Sequence, residues 1–379
     1  VRRILFVANG HGENAIATRI AFALHDAAAG PLGLDLFSLV GEGTPAREAG
    51  APVLVGPRRT MPSGGLVAMG NVRAFARDLG AGFAPLLAAQ LAFLRGAARG
   101  YDVVVATGDV YALLLALLAR RPTIFVGTAK SAYVAPYGPF ERVVLRRALR
   151  VFVRDEPTAA ALRGQRVAAE APGNVIVDLI DDAGAAFARP WLGVLPGSRE
   201  EAYGDAVRLA RVARALARLR PLPALLSVAP SLDPGRFRRE LAADGWETRD
   251  ARGDAPFEAR AGDARLVAWR GSLGALLRAS VAVIGQAGTA NEQAAALGLP
   301  VVALGGPAPG GDWYRMRQRR LLGDALLLVD RQPERAAAEL DALLRDEGRL
   351  ARMALAGRSR MGAPGGAANI ARAILQAAG

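Results

Sequence analysis

The chain has 379 residues, a length that predicts two domains, each able to bury its own core. It contains no cysteine, which excludes a disulfide framework and a thiolate metal site and fits a reducing compartment. The formal charge of +13 is carried almost wholly by arginine, with Lys130 the only lysine among 48 basic residues. That charge reads as a solvated surface or as attraction to an anionic membrane or phosphates; with aromatics at 6% and no nucleic-acid motif, nucleic acid is not expected as a partner.

The first residues, VRRILFVANG, have a basic start and an apolar run. They lack a small-residue cleavage site and lead into a glycine loop, so no signal peptide is expected. No apolar stretch reaches the roughly 20 residues of a spanning helix. From there strands and helices alternate. Strands are expected at 4–8, 34–39, 53–55, 102–106, 123–126 and 151–153, and helices at 14–28, 44–49, 110–119 and 141–149. Short β-rich runs bounded by Gly or Pro, each followed by a helix, predict a parallel sheet with right-handed crossovers.

Residues 57–100 interrupt this pattern with an apolar, glycine-rich insertion. In it Arg73, Arg77 and Arg95 flank Phe75, Leu79, Phe83, Leu86, Leu87, Leu91 and Phe93. An apolar face with a basic edge fits a helix lying on an anionic membrane surface; it also fits an ordinary helix packed on the sheet.

The alternation restarts after Pro172. Strands are expected at 192–195, 224–228, 266–268, 281–284 and 301–304, and helices at 200–219, 234–244, 273–279 and 289–296, with a helical tail over 333–378. The domains are therefore placed at 1–172 and 173–360, both doubly wound, with the boundary region between Pro172 and Pro190.

Four loops at strand ends carry chemistry. Asn9-Gly10-His11-Gly12-Glu13 follows the first strand. Its glycines admit a ligand to the backbone, but GxGxxG is not met because position 15 is Ala. His11 and Glu13 are candidate catalytic groups there, and a plain structural turn is the alternative. Thr107-Gly108-Asp109 offers a carboxylate that either takes a proton from a substrate hydroxyl or caps the next helix. Leu195-Pro196-Gly197-Ser198-Arg199-Glu200 joins small residues to a fixed cation, a phosphate-binding combination. Finally, 285–300 places Gly288, Thr289 and Ala290 at a helix start, with Glu292 and Gln293 in position for a ribose hydroxyl. Two anion-tuned helix starts in one domain point to a nucleoside diphosphate. No D-x-D occurs and no His/carboxylate cluster has metal spacing, so no metal is expected; helix dipoles and Arg199 would meet the leaving-group charge.

Taken together, LPGSRE and GTANEQAAALGLP resemble the nucleotide-sugar half of GT-B glycosyltransferases. The chain is most similar to the lipid-A-disaccharide synthase family, in its synthase-related group. NGHGE, TGDVYALLLAL, VGTAKSAYV and FERVVLRRALRVFVRDEPTAAAL carry the same likeness across the first domain.

The resemblance implies two Rossmann-like domains facing a central cleft, with a last helix at 361–379 crossing back to the first. It implies an inverting, metal-independent transfer of GlcNAc or a similar sugar from a UDP-sugar to a hydroxyl of a lipid-linked acceptor. It places Gly197, Ser198 and Arg199 at the diphosphate, Gly288, Thr289 and Ala290 in the second phosphate loop, and Trp269 and Arg270 at the base. Glu292 or Gln293 would take the ribose. His11 or Asp109 would be the base, with Glu13 orienting His11 or holding a sugar hydroxyl and Gly10 and Gly12 lining the acceptor side. No cofactor is required, and the enzyme would sit in the cytoplasm, peripheral on the inner face of the cell membrane. A UDP-sugar 2-epimerase shares this architecture without needing an acceptor, and the insertion at 57–100 argues against it. A third reading is a catalytically inactive GT-B protein that binds nucleotide or membrane.

Overall fold

A computed structural model describes residues 1–41, 48–59, 80–181, 183–184, 187, 190–305 and 313–378. The chain forms two compact units, Val1–Leu179 with Ala363–Gly379, and Ile180–Gly362.

The first unit holds seven strands: β1 (Arg2–Ala8), β2 (Leu32–Ser38), β3 (Val53–Leu54), β4 (Val103–Gly108), β5 (Thr123–Gly127), β6 (Arg150–Val153) and β7 (Ala169–Glu170). They lie in the order β3-β2-β1-β4-β5-β6-β7, all parallel. Every residue of β4 and β5 is buried, because helices cover both faces of a parallel sheet. This explains why these strands read as unbroken apolar runs.

Several expected elements shift. The first helix begins at His11, not 14, since Gly10 serves as its N-cap and Asn14 N–H already bonds Gly10 O at 2.8 Å. The glycine loop therefore shrinks to Asn9–Gly10, and His11, Gly12 and Glu13 form the first helical turn. The short helix expected at 44–49 falls largely outside the described residues, as do Arg73, Phe75, Arg77 and Leu79 of the insertion. The described part of the insertion is the helix Phe83–Arg95, which buries Gln90 and Leu94. Phe93 packs on Phe37 with ring centroids 4.9 Å apart, and Gln90 Nε2 donates to Leu39 O at 3.2 Å. This face belongs to the core, and the exposed positions are Ala84, Pro85, Ala88, Ala89, Ala92 and Arg95.

The second unit holds β8 (Trp191–Leu195), β9 (Ala224–Ser227), β10 (Glu247–Asp250), β11 (Phe257–Ala261), β12 (Ala264–Trp269), β13 (Ser280–Gly285), β14 (Val301–Leu304) and β15 (Leu326–Val329). Their order is β10-β11-β12-β9-β8-β13-β14-β15, with β11 antiparallel to both neighbours. Strands β10 and β11 escape the sequence reading because ETRD, at the sheet edge, and FEARA, next to it, are short segments interrupted by charges. The helix expected at 200–219 begins only at Ala202: the chain first makes turns, with Ala202 N–H on Arg199 O and Tyr203 N–H on Glu200 O. Among the described residues no helix is long and apolar enough to cross a membrane.

The helical tail divides into Pro333–Arg345, Glu347–Met361 and Gly366–Ala377. The last lies in the first unit, against the His11–Ala27 helix. Its N-terminus has no cap of its own; Asp178 supplies one, accepting Gly365 N–H at 2.6 Å and Ala367 N–H at 2.7 Å. A Cβ on Gly366 would collide with Gly173 O, so only glycine allows this approach. Asp178→Ala is expected to destabilise the protein by about 1–2 kcal/mol, measured as a lower urea midpoint, and Asp178→Asn by less.

Candidate functional site

Each sheet has a central pair of strands from which the chain builds outward in two directions. In the first unit the chain proceeds outward from β1 through β2 to β3, and from β4 through β5 to β7 on the other side. In the second it proceeds from β8 to β9, then enters at the far edge as β10 and returns through β11 to β12 beside β9; on the other side it proceeds from β13 through β14 to β15. At such a point neighbouring crossovers lie on opposite faces of the sheet, leaving a crevice at the carboxyl ends of the strands. The loops after β1 and β4 flank one reversal, and those after β8 and β13 flank the other.

At the second-unit reversal the two loops are stitched together. Gln286 and Ala287 N–H both bond Leu195 O, at 2.9 and 3.1 Å. Gly197, at φ 118°, holds a left-handed conformation suited to glycine and faces Ala287. Ser198 and Arg199 are exposed beyond it. Thr289–Ala296 begins at Gly288, which gives no side-chain cap, so the turn Gly288-Thr289-Ala290 presents backbone N–H groups at the loop. Glu292 is half-buried, whereas Gln293 is buried in the helix.

A polar network that the motifs did not signal fixes this loop. Arg315 Nη2 donates to Gln286 O at 2.6 Å, and Gln318 Nε2 to Ala287 O at 3.0 Å and Gly288 O at 3.3 Å. Asn291, fully buried, donates to Gly285 O and to Gln318 Oε1, each at 3.2 Å. A Cβ on Gly285 would collide with Asn291 Oδ1. Buried side chains thus hold the loop carbonyls inward. The only sequence signal was the polarity of Trp313–Leu322, WYRMRQRRLL.

Trp269 ends β12, two strands from β8, and Arg270 follows it. The Trp269 indole N–H donates to Ser272 O at 2.8 Å and its ring meets Phe187 edge-on at 5.0 Å. Arg270 Nη2 donates to Pro230 O at 2.8 Å.

At the first-unit reversal Gly10, Gly108, Asn9 and Glu13 converge. Gly108 has φ 130°, and a Cβ there would collide with Asn9 Oδ1 and lie 3.1 Å from Glu13 Cγ. A Cβ on Gly10 would collide with Glu13 Oε2. Gly10 is extended, at φ −175°, so close approach rather than strain explains this glycine. The placement of the His11 side chain lies outside the described residues. Asp109 caps Val110–Ala116 with one oxygen, Oδ1 accepting Tyr111 N–H at 2.9 Å and Ala112 N–H at 3.2 Å. Its Oδ2 makes no hydrogen bond among the described residues, so capping and proton transfer are compatible in one carboxylate.

The loop after β5 adds groups that motif reading did not assign. Thr128 N–H bonds Gly108 O at 3.1 Å, joining this loop to the Asp109 turn. Lys130 Nζ donates to Glu141 Oε2 at 2.6 Å, and the same oxygen accepts Gly138 N–H at 2.6 Å. The Tyr137 ring lies 5.6 Å from Nζ, and its hydroxyl is buried without a partner. Burial, then the charges of Glu141, Asp109 and Asp155, push that hydroxyl far above the usual tyrosine range, so it stays protonated. The Thr107 and Thr128 hydroxyl oxygens are also buried without partners. No group of three or more His, Asp or Glu among the described residues could hold a metal.

No family model and no curated protein matches the chain. Solved structures do. The fold is GT-B. UDP-GlcNAc 2-epimerase from Methanocaldococcus jannaschii aligns at a TM-score of 0.57 and 12% identity, over 99% of both chains. UDP-GlcNAc 2-epimerase from Neisseria meningitidis, solved with UDP-GlcNAc, aligns at 0.56 and 12%, again over 99% of both. A glycosyltransferase from Streptomyces nogalater aligns at 0.51 and 17%, over 100% of this chain and 99% of the other. The GT-B architecture is thus shared with both enzyme classes, whereas the finer likeness to lipid-A-disaccharide synthase rests on the sequence motifs alone.

Because a buried hydroxyl without a partner costs stability, Tyr137→Phe is expected to raise the thermal midpoint, by about 1 kcal/mol in stability. A lowered midpoint would show that the hydroxyl has a partner in solution.

Proposed function

We propose that this protein is a UDP-sugar-acting enzyme and that its best-supported activity is 2-epimerisation of a UDP-N-acetylhexosamine. The observation that carries the nucleotide assignment is the stitched pair of loops at Gly197–Arg199 and Gly288–Ala290. Backbone N–H groups, a helix N-terminus and an exposed guanidinium there suit a diphosphate. Glu292 is the ribose candidate in preference to Gln293, whose side chain is spent in the core. Trp269 and Arg270 remain candidates for the base, through the indole ring and the exposed guanidinium stem.

Two lines support epimerisation over transfer. Full-length alignment with two 2-epimerases matches the architecture without requiring a second substrate. The described helix of the insertion packs Phe93 and Leu94 on the core, as an ordinary sheet-packed helix does, which supports the reading without a membrane acceptor; residues 60–79 lie outside the described residues. In the first unit Asp109 Oδ2 is the preferred proton-transfer group, with Glu13 beside it and His11 a further candidate. Diphosphate charge is met by helix dipole and Arg199, and the reaction takes no metal or other cofactor.

Transfer to the hydroxyl of a lipid-linked acceptor, at a peripheral position on the membrane, is the second reading. It is favoured by LPGSRE and NGHGE, the motifs of the synthase-related group.

Turnover of UDP-GlcNAc radiolabelled in its sugar, in D2O with and without membrane lipid extract, separates the two. Inversion at C2 by proton removal and return places deuterium on that carbon, while transfer leaves C2 protium intact and labels a lipid product. The expected result is C2 deuteration in the UDP-sugar pool without added lipid; a labelled lipid with protium at C2 would favour transfer. Arg199→Ala is expected to weaken UDP about tenfold or more, measured by calorimetry. Unchanged affinity would remove Arg199 from the diphosphate.

A further inference from the structure

Lysine occurs once in this chain, among 48 lysine and arginine residues. Surface charge, ion pairing and carbonyl binding are all done by arginine: Arg146, for example, donates to Arg166 O and Gln165 O, and Arg150 pairs with Glu170. The one position that departs from this usage is Lys130, on the loop after β5 that bonds the Asp109 turn.

Its side chain is only 29% exposed, and that of Glu141, its partner, 21%. The ammonium has three donors. One goes to Glu141 Oε2, the Tyr137 ring takes a face of the cation, and the remaining donors meet no acceptor among the described residues. Two hydroxyls are held out of water without partners, that of Tyr137, whose ring lies beside the ammonium, and that of Thr128, two residues earlier on the same loop. An ammonium with unused donors, two orphan hydroxyls and the carboxylates of Asp109 and Glu141 suit a polyhydroxylated neutral group better than an anion. A guanidinium is planar and longer, and it cannot direct single donors at a compact target in the same way.

We propose that Lys130 is a sugar-contact residue: anchored on Glu141 and Tyr137, its ammonium donates to a hydroxyl or carbonyl oxygen of the sugar at the carboxyl ends of β4 and β5. This rests on the UDP-sugar reading and adds the residue that selects the sugar rather than the nucleotide.

Because Lys130 is the sole lysine, amine-directed labelling followed by peptide mapping reports on it separately from the terminal amine. The experiment combines calorimetry of UDP with the labelling rate of Lys130 in the whole protein, alone, with UDP, and with UDP-GlcNAc. UDP is expected to bind and leave labelling unchanged, while UDP-GlcNAc slows it about tenfold. Lys130→Arg, which keeps the charge, is expected to lower kcat/KM about tenfold or more with its thermal midpoint retained. Labelling unaffected by UDP-GlcNAc, equal protection by UDP alone, or full activity in Lys130→Arg would each overturn the sugar contact while leaving the nucleotide assignment standing. Absence of UDP binding to the wild type would overturn the UDP-sugar reading itself, and this proposal with it.

Discussion

Parallel strands are joined by right-handed crossovers, so a sheet that grows in both directions from a central pair must send its helices to opposite faces there. That constraint acts twice in this protein, between β1 and β4 and between β8 and β13. Every candidate loop but two lies beside one of these reversals. The exceptions are the loop after β5, tied to the first reversal through Gly108 O, and that after β12. The chemistry of each unit follows from which side chains its sequence places at that opening.

The two openings are furnished differently. In the second unit glycines and a helix start face the opening, while Asn291, Arg315 and Gln318 hold the loop from behind. Such a loop is preorganised to donate backbone N–H groups, which suits phosphate oxygens. In the first unit the glycines at 10 and 108 make room for side chains instead, bringing Asn9 and Glu13 against the Asp109 turn. Carboxylates, hydroxyls and one ammonium suit proton transfer and sugar recognition.

Much of this was legible in the sequence wherever a signal was local. The buried strands β4, β8 and β13 read as apolar runs, and the glycine loops after them as ligand-admitting turns. The same local logic placed the first helix too late, because Gly-His-Gly reads as loop when the close approach of Glu13 to Gly10 is not visible. Strands β10 and β11 were missed since strands at and next to the charged sheet edge lack the continuous apolar run of central ones. The support given by Arg315 and Gln318 to the Gly285–Gly288 turn was not readable, because it joins segments about a strand and a loop apart. Lys130 stood out only as a compositional oddity until Glu141 and Tyr137 were seen to hold it.

The central claim is that the nucleoside diphosphate belongs to the second-unit reversal and not to the glycine turn that opens the chain. A crystal structure of the protein soaked with UDP tests it directly. The diphosphate is expected against the backbone of 197–199 and 288–290, with Arg199 turned onto it. A diphosphate seated instead on Asn9–Gly10 at the start of the His11–Ala27 helix would contradict the account.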